Sequence, residues 1–387
     1  SRLLRNVFSV KRFPATASIF LKENGLPLQA GDTLVQKDLA ATYRALANEG
    51  PDYFYKGAFA KAADKWMKEN EGLVTQQDFA NYQVTLRAPV VTEFGPYRIV
   101  GFPPPSSGGV HVAQILNILS NFPLADMTEV DRYHVMIEAM KLAFADRAHW
   151  LGDPDFAKVP KGLIDKGYAA SLAESISLKT AAEVKQYGMP PKADSELFGK
   201  HTTHIAAADK AGNWVAITTT LNTSFGSKVV IPGTGVLMNN QMDDFSAQPG
   251  VPNAYGLVGA EANSVEAGKR PLSSMSPTLV FKGDQPVLTV GAAGGPTIIT
   301  QVLQTLVNAL ILEKPLAEAM GTARVHHQWL PDQVYYDGFA DKALVEGLKA
   351  RGHALKVWPP FGATQAISLE KDGFTAVTEP RLVDGLR

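Results

Sequence analysis

The chemistry that the sequence offers most directly begins at His201-Thr202-Thr203-His204, where a polar stretch ends and a Thr-rich run starts. A threonine at the start of a chain carries a hydroxyl nucleophile and an α-amine. The reference pKa of that amine, about 7.7–8.0, makes it a usable base at neutral pH. A cut before Thr202 would therefore place nucleophile and base on one residue. Residue types alone favour a plainer interpretation, which is a β-edge strand rich in threonine.

Composition and the lack of common motifs exclude several other kinds of site and partner. The 387 residues include no cysteine, which excludes disulfides, thiolate metal sites and a Cys nucleophile. Lys and Arg total 37 against 38 for Asp and Glu, so no bulk positive field predicts nucleic-acid binding. No apolar run approaches roughly 18 residues, and no membrane span is predicted. Serine-hydrolase, zincin, P-loop and dinucleotide-binding motifs are absent from the sequence. A small neutral or zwitterionic partner fits this balance best.

The elements that must position such a site change character near residue 200. Upstream, helical spacing predicts helices over TLVQKDLAATYRALANEG with Asp32 as the cap, over 56–70, over HVAQILNILSNF and over YHVMIEAMKLAFADRAHWL. PYRIVGF is typical of a strand, PPPSSGG breaks the chain, and the polar stretch from about 169 to 200 is predicted to be a surface linker.

Downstream of residue 200 the pattern is that of strands. HTTHIAAAD and NWVAITTTLN, joined by the turn-prone KAG, predict an antiparallel hairpin. Further strands are predicted at VVIPG, SPTLVF and PVLTVGA, and Gly294-Gly295-Pro296 opens a helix over TIITQVLQTLVNALIL. Antiparallel strands followed by helices favour an α+β layered fold over a parallel doubly wound sheet.

Several motifs occur together and in order: TTHIAAADKAGN, TLNTSFGS, LMNNQMDDFSAQPGVPNAYGLVG, KRPLSSMSPT, GAAGGPTIIT and RVHHQWLPD, with PPPSSGG and ADRAHWLGDPDF upstream. This set resembles the gamma-glutamyltranspeptidase family. The resemblance implies the αββα sandwich of N-terminal-nucleophile hydrolases, with two stacked antiparallel sheets flanked by helices. It also implies γ-glutamyl transfer and hydrolysis after autoproteolysis between His201 and Thr202. The proenzyme would then give residues 1–201, mostly helical and ending in a linker, and residues 202–387, and the two pieces would stay associated.

The resemblance also implies catalytic roles. Thr202 would be the nucleophile, Thr220 the hydroxyl that orients it, and Gly294 with Gly295 the backbone donors of an oxyanion hole. Considered by type alone, Thr220 is an ordinary strand threonine and the glycine pair a helix-entry turn. Two glycines between a strand and a helix do allow backbone N–H groups to converge on a developing oxyanion.

Substrate-binding roles are implied in the same way. The positions that match the family's contacts to the α-ammonium of a γ-glutamyl group are Asn222, Gln241 and Asp244. Ser273 and Ser274 match those that bind its α-carboxylate. Tyr255, in the loop 249–256, would cover the site. Asp243 and Asp244 have no further ligands at metal spacing, so neither a metal nor a cofactor is expected. His326, His327 and Trp329 are predicted to serve packing.

The sequence leaves two alternative functions open. One is a related amidase, such as a glutaryl-cephalosporin acylase or a poly-γ-glutamate depolymerase. Asp244 argues against the acylase, because a glutaryl group has no ammonium for it to bind. The other is an uncleaved, catalytically silent fragment. Family members also have an upstream arginine that binds the α-carboxylate, so the 387 residues alone are expected to turn over poorly, and an extension upstream to restore activity. A periplasmic or extracellular location is implied by the resemblance.

Overall fold

The computed structural model describes residues 2–191, 204–358 and 361–384. They form two compact units. The first unit consists of the chain up to Leu86 together with Leu221–Gln241, and the second consists of Arg87–Thr220 together with the chain from Met242 onward. Along the chain, each unit therefore combines segments from both sides of position 202.

Six helices make up most of the first unit: α1 (Arg2–Lys11), α2 (Pro14–Phe20), α3 (Lys37–Glu49), α4 (Asp52–Tyr55), α5 (Ala58–Glu69) and α6 (Gln76–Asn81). Its core joins Phe59 and Ala63 of α5 to Val229 and Ile231 of the later segment. The Phe54 and Phe59 rings stack with centroids 4.0 Å apart. Apolar spacing along α5 thus places one face against a segment about 170 residues further along the chain.

The second unit is built on a six-stranded antiparallel sheet in the order β1-β2-β5-β6-β10-β11. Its strands are β1 (Val90–Phe94), β2 (Tyr97–Gly101), β5 (Thr278–Lys282), β6 (Gln285–Gly291), β10 (Gln365–Glu370) and β11 (Gly373–Thr378). Between β2 and β5 in the chain lies the hairpin of β3 (His204–Ala208) and β4 (Trp214–Thr218). A mixed three-stranded sheet holds β7 (Val325–His326), β8 (Val334–Tyr336) and β9 (Leu355–Val357).

Helices surround these sheets: α7 (Gly108–Leu119), α8 (Glu129–Trp150), α9 (Lys166–Glu174), α10 (Thr297–Leu306), α11 (Leu316–Gly321), α12 (Lys342–Ala350) and α13 (Pro380–Asp384). Every residue of α7 is buried, and its polar side chains His111, Gln114 and Asn117 each make a side-chain hydrogen bond. The main core joins α7, α8 and α10 to the six-stranded sheet. Together with the hairpin, these layers confirm the αββα, α+β fold class. Within the described parts of the chain, no helix has both the length and the apolarity to cross a membrane.

Local sequence patterns correctly predicted several helices and strands of the second unit. The hairpin, the strands SPTLVF and PVLTVGA, and the helices α7, α8 and α10 are confirmed within a few residues. The predicted packing roles are also confirmed, because His326 and His327 are fully buried and Trp329 packs against the main core.

Two local predictions in the first unit are wrong. Asp32 does not cap α3, which begins at Lys37, because its carboxylate accepts from the Gln29 N–H at 2.8 Å and pairs with Lys22 at 2.7 Å. VVIPG forms no extended strand, since Val230 makes only an isolated bridge to Leu237. The Thr16 hydroxyl there accepts from the Val230 N–H and donates to a neighbouring carbonyl, which satisfies the backbone without a strand partner.

Four buried histidines of the second unit predict acid sensitivity. Burial lowers the pKa of His111 and His353 to about 3, and that of His204 and His326 to about 4. In the unfolded chain the same groups titrate near pH 6.5. Between these values the unfolded state binds more protons, so the stabilisation is complete above about pH 6.5 and is lost as the pH falls toward the folded pKa.

The expected result is a melting temperature that drops steadily from pH 7.5 to pH 5, measured by calorimetry. His326→Gln retains a polar side chain between Thr300 and Gln328 and should show a smaller drop than the parent. A melting temperature that stays constant over this range would contradict the prediction.

Candidate active site

The β3–β4 hairpin begins at His204, two residues after the predicted nucleophile Thr202 in the sequence. His204 at the start of β3 pairs with Thr218 at the end of β4, and their Nδ1 and Oγ1 atoms are 3.1 Å apart. The His204 ring packs directly on Gly291 of β6, where a side chain would overlap it. Thr220 is half-buried two residues after β4. His201 and Thr202 lie outside the described residues.

Ser273 and Ser274, which the family resemblance assigns to carboxylate binding, lie against the PPPSSGG segment. Ser107 N donates to Ser273 O, and Ser273 N donates to Pro105 O, both at 2.8 Å. At Gly108 a methyl group would overlap the Met275 carbonyl, so only glycine allows this approach. Ser273 and Ser274 are 4% and 6% exposed, and the backbone contacts fix their position.

Arg147 of α8 meets these serines in the interior. Its side chain is 4% exposed, Nε donates to Ser107 Oγ at 2.9 Å, and Nη2 donates to Ser274 Oγ at 3.1 Å. Burial lowers its pKa to about 10, and the nearby Asp244 carboxylate opposes that shift. Sequence analysis did not single out Arg147. The available signal was its spacing from the apolar Met140 and Phe144, which places a charge on the buried face of a helix.

Tyr255 packs against Gly295 and lies within the electrostatic influence of Asp244. Half-buried Asp244 ends a 3-10 turn that begins at Gln241. Burial and the Asp244 charge raise the pKa of Tyr255 to about 12. A Cβ at Gly295, where φ is +59°, would lie 2.6 Å from the Tyr255 ring. Gly295 is thus covered by Tyr255, and only a residue without a side chain fits beneath it.

The glycine pair precedes α10 directly. Thr297 Oγ1 donates to Gly294 O at 2.8 Å, and Gln301 Nε2 donates to Ala293 O at 3.1 Å. These bonds hold the turn in which the first N–H groups of the helix have no partner within the helix. Such a terminus favours a negative charge.

Asn222 and Gln241 belong to the first unit. Asn222 has φ of +74° and donates through Nδ2 to Asn240 O at 3.2 Å. Gln241 N donates to Asn239 Oδ1 at 2.9 Å. Their roles toward an α-ammonium stay predictions. The described geometry brings Asp244 into the electrostatic surroundings of Arg147, and thus of Ser274, and places Tyr255 over Gly295.

One group among the described residues has donors suited to a metal, namely His134, Glu138 and His353. The Lys141 ammonium lies 2.9 Å from Glu138 Oε1 and already neutralises that carboxylate. His134 Nδ1 and His353 Nε2 are 2.7 Å apart and bind each other. This arrangement is that of a buried polar network that packs α8 against the segment after α12, and it contributes no group to the site above.

A sequence profile for gamma-glutamyltranspeptidase matches residues 2–386. The glutathione hydrolase proenzyme of Escherichia coli strain K12 is 46% identical over 377 residues, which cover 95% of this chain and 64% of that protein. The acylase ACY 1 proenzyme of Pseudomonas sp. strain SE83 is 37% identical over 373 residues, covering 95% of this chain and 63% of that protein. The chain therefore spans less than two thirds of the length of these relatives.

A solved structure agrees in fold. The crystal structure of cephalosporin acylase from Bacillus halodurans superimposes with a TM-score of 0.86 at 26% sequence identity. The match covers 98% of this chain and 68% of that one. That acylase structure thus shares the layered architecture described above.

Proposed function

This chain belongs to the gamma-glutamyltranspeptidase family, and on that premise we propose that the protein cleaves γ-glutamyl amides, such as glutathione, and transfers the γ-glutamyl group. The observation that supports this most directly is the pairing of opposite charges in the second unit. Arg147 with Ser273 and Ser274 forms a corner that favours a carboxylate, and Asp244 offers an acceptor for an ammonium. The α-carbon of a γ-glutamyl group carries both of these charges.

For the chemical step we propose Thr202 as the nucleophile. Its hydroxyl oxygen attacks the γ-carbonyl carbon, its α-amine takes the hydroxyl proton, and that proton passes to the departing amine. The resulting γ-glutamyl ester is then attacked by water, or by the amine of an amino acid or short peptide, and the Thr202 hydroxyl is restored. The N–H groups of Gly294 and Gly295 would stabilise the oxyanion in both halves, which fits their place at the start of α10.

Release of this nucleophile requires cleavage between His201 and Thr202, and we propose that Thr202 itself performs it. Thr202 lies two residues before His204 in sequence, and Thr220 lies two residues after Thr218, the partner of His204. This matched spacing supports Thr220 as the hydroxyl that orients Thr202. Residues 1–201 and 202–387 would stay together, since each compact unit contains segments from both pieces. A periplasmic or extracellular location stays a prediction.

The competing activity is that of a glutaryl acylase, which the acylase relatives favour. Half-buried Asp244 argues against it, because its carboxylate offers an acceptor for an α-ammonium, which a γ-glutamyl group has and a glutaryl group lacks.

The test compares the rate of p-nitroaniline release from γ-glutamyl p-nitroanilide and from glutaryl p-nitroanilide, with and without a dipeptide acceptor. We expect faster release from the γ-glutamyl compound. A dipeptide acceptor should give parallel lines in double-reciprocal plots, because donor and acceptor react in separate steps. Equal kcat/KM for the two anilides would overturn the proposed substrate class and favour the acylase.

A further inference from the structure

We propose that Arg147 is a positioning residue of the carboxylate subsite: it fixes the Ser274 hydroxyl and supplies a buried positive charge toward the substrate α-carboxylate. This inference rests on the proposed function and deepens it. Arg147 contributes its guanidinium to this subsite from within the described part of the chain.

The first support is the hydrogen bonding of the Ser273 and Ser274 hydroxyls, which leaves each O–H group able to donate to a ligand. Ser274 Oγ accepts from Arg147 Nη2, and Ser273 Oγ accepts from Met275 N at 3.3 Å. Among the described residues, none accepts a hydrogen bond from either hydroxyl. With the acceptor side occupied, each O–H remains available as a donor. Two neighbouring O–H donors match the two oxygens of a carboxylate.

Ser107 plays a different part in the same group. Its hydroxyl accepts from Arg147 Nε and donates to Ser273 O at 2.7 Å, so both of its roles are filled. It therefore links the guanidinium to the backbone of the serine pair. Arg147 thus controls Ser274 through a direct bond and Ser273 through Ser107.

The second support is the charge balance around Arg147. The described residues place no carboxylate within 4 Å of its guanidinium, and its partners there are neutral hydroxyls. A buried cation held only by hydroxyls is incompletely compensated, and it attracts an anion more strongly than an exposed cation does. The Asp244 charge acts on Arg147 from further away. A substrate with both a carboxylate and an ammonium would complement the two charges together.

Arginine is required for this geometry. Its planar fork reaches Ser107 and Ser274 through different nitrogens at the same time, which a lysine ammonium at the end of a flexible stem does less well. Arg147→Lys keeps the charge and Arg147→Gln removes it, so the two variants separate the contribution of charge from that of orientation.

The experiment uses two donor substrates that differ only in the α-carboxylate, γ-glutamyl p-nitroanilide and 4-aminobutyryl p-nitroanilide. For Arg147→Gln we expect KM for the γ-glutamyl compound to rise roughly 10- to 100-fold, as for loss of a charge-assisted contact, with a smaller change in kcat. KM for the 4-aminobutyryl compound should change less than about 3-fold. Arg147→Lys should recover part of the loss.

Arg132→Gln is the matched control. Arg132 is half-buried on the same helix and donates to the Leu124 and Met127 carbonyls, away from the serines. It should leave KM for both substrates unchanged. An equal loss on both substrates in Arg147→Gln would show a merely structural role and overturn the inference, and so would an unchanged KM for the γ-glutamyl compound.

A binding measurement covers the case of a variant that folds poorly. Calorimetric titration of the parent and of Arg147→Lys with L-glutamate and with 4-aminobutyrate should show weaker binding of L-glutamate alone in the variant. Equal binding of L-glutamate by both proteins would overturn the inference. A parent protein that neither cleaves the γ-glutamyl anilide nor binds L-glutamate would instead refute the proposed function.

Discussion

Thr202→Ala is expected to remain a single chain of 387 residues and to lose γ-glutamyl turnover by roughly 10⁴-fold or more, as removal of a nucleophile does. Alanine has no hydroxyl to attack the His201 carbonyl, so neither self-cleavage nor ester formation can proceed. The parent should run on a denaturing gel as two pieces of 201 and 186 residues. Edman sequencing of the shorter piece should begin Thr-Thr-His.

Thr202→Ser is the control for this prediction. It retains a hydroxyl and an α-amine at the same position, so it should still split and retain part of the activity. A parent that gives no Thr-Thr-His terminus would overturn the assignment of Thr202. Cleavage that persists in Thr202→Ala would do the same, since the bond would then be cut by another group.

Asp244→Asn is expected to raise KM for a γ-glutamyl anilide by roughly 30-fold to several thousand-fold, the range for losing one partner of a partly desolvated charge pair. The physical reason is the loss of the acceptor for the α-ammonium. The substitution preserves the size of the side chain in the 3-10 turn, and self-cleavage at His201 should continue.

Asp243→Asn provides a neighbouring control. Asp243 is exposed, and its carboxylate accepts from Ala254 N at 3.2 Å. It should change KM only slightly, which separates a general loss of negative charge from the specific role of Asp244. In Asp244→Asn the preference for γ-glutamyl over glutaryl anilide should largely disappear. If both aspartate variants raise KM equally, Asp244 is not the ammonium acceptor.

The acylase relatives sharpen this second test. The αββα layer structure is shared by the cephalosporin acylase from Bacillus halodurans, so the fold alone does not fix the substrate of this chain. We expect the choice of substrate to depend on a few charged side chains. Asp244 and Arg147 are the candidates, because the Asp244 charge acts on the Arg147 guanidinium.

Local sequence determined a large part of this protein. The β3–β4 hairpin follows from two alternating runs with a short turn, and the helix after Gly294-Gly295 follows from its apolar spacing. Family motifs in their order identified the candidate site residues and the αββα fold. These signals work because hairpins, helix starts and motifs depend on residues close together in the chain.

Two other regions were predicted wrongly or not at all, and for different reasons. The β10–β11 hairpin was not predicted, although LEKDGF contains a turn signal between two strands that pair from Gln365 to Thr378. VVIPG has strand-forming residues, yet its backbone is bound by Thr16 from more than 200 positions away. Tertiary contacts there outweigh β-propensity.

Only the tertiary structure decided the role of Arg147. Its two serine partners are 40 and 127 positions away in sequence, and neither distance leaves a periodic signal. The sequence shows a charged residue on the apolar face of a long helix, whereas burial of that charge depends on which distant groups compensate it. Folding brings PPPSSGG and the Ser273-Ser274 segment together around the guanidinium. A buried cation is tolerated only where such partners exist, so the fold determines its function.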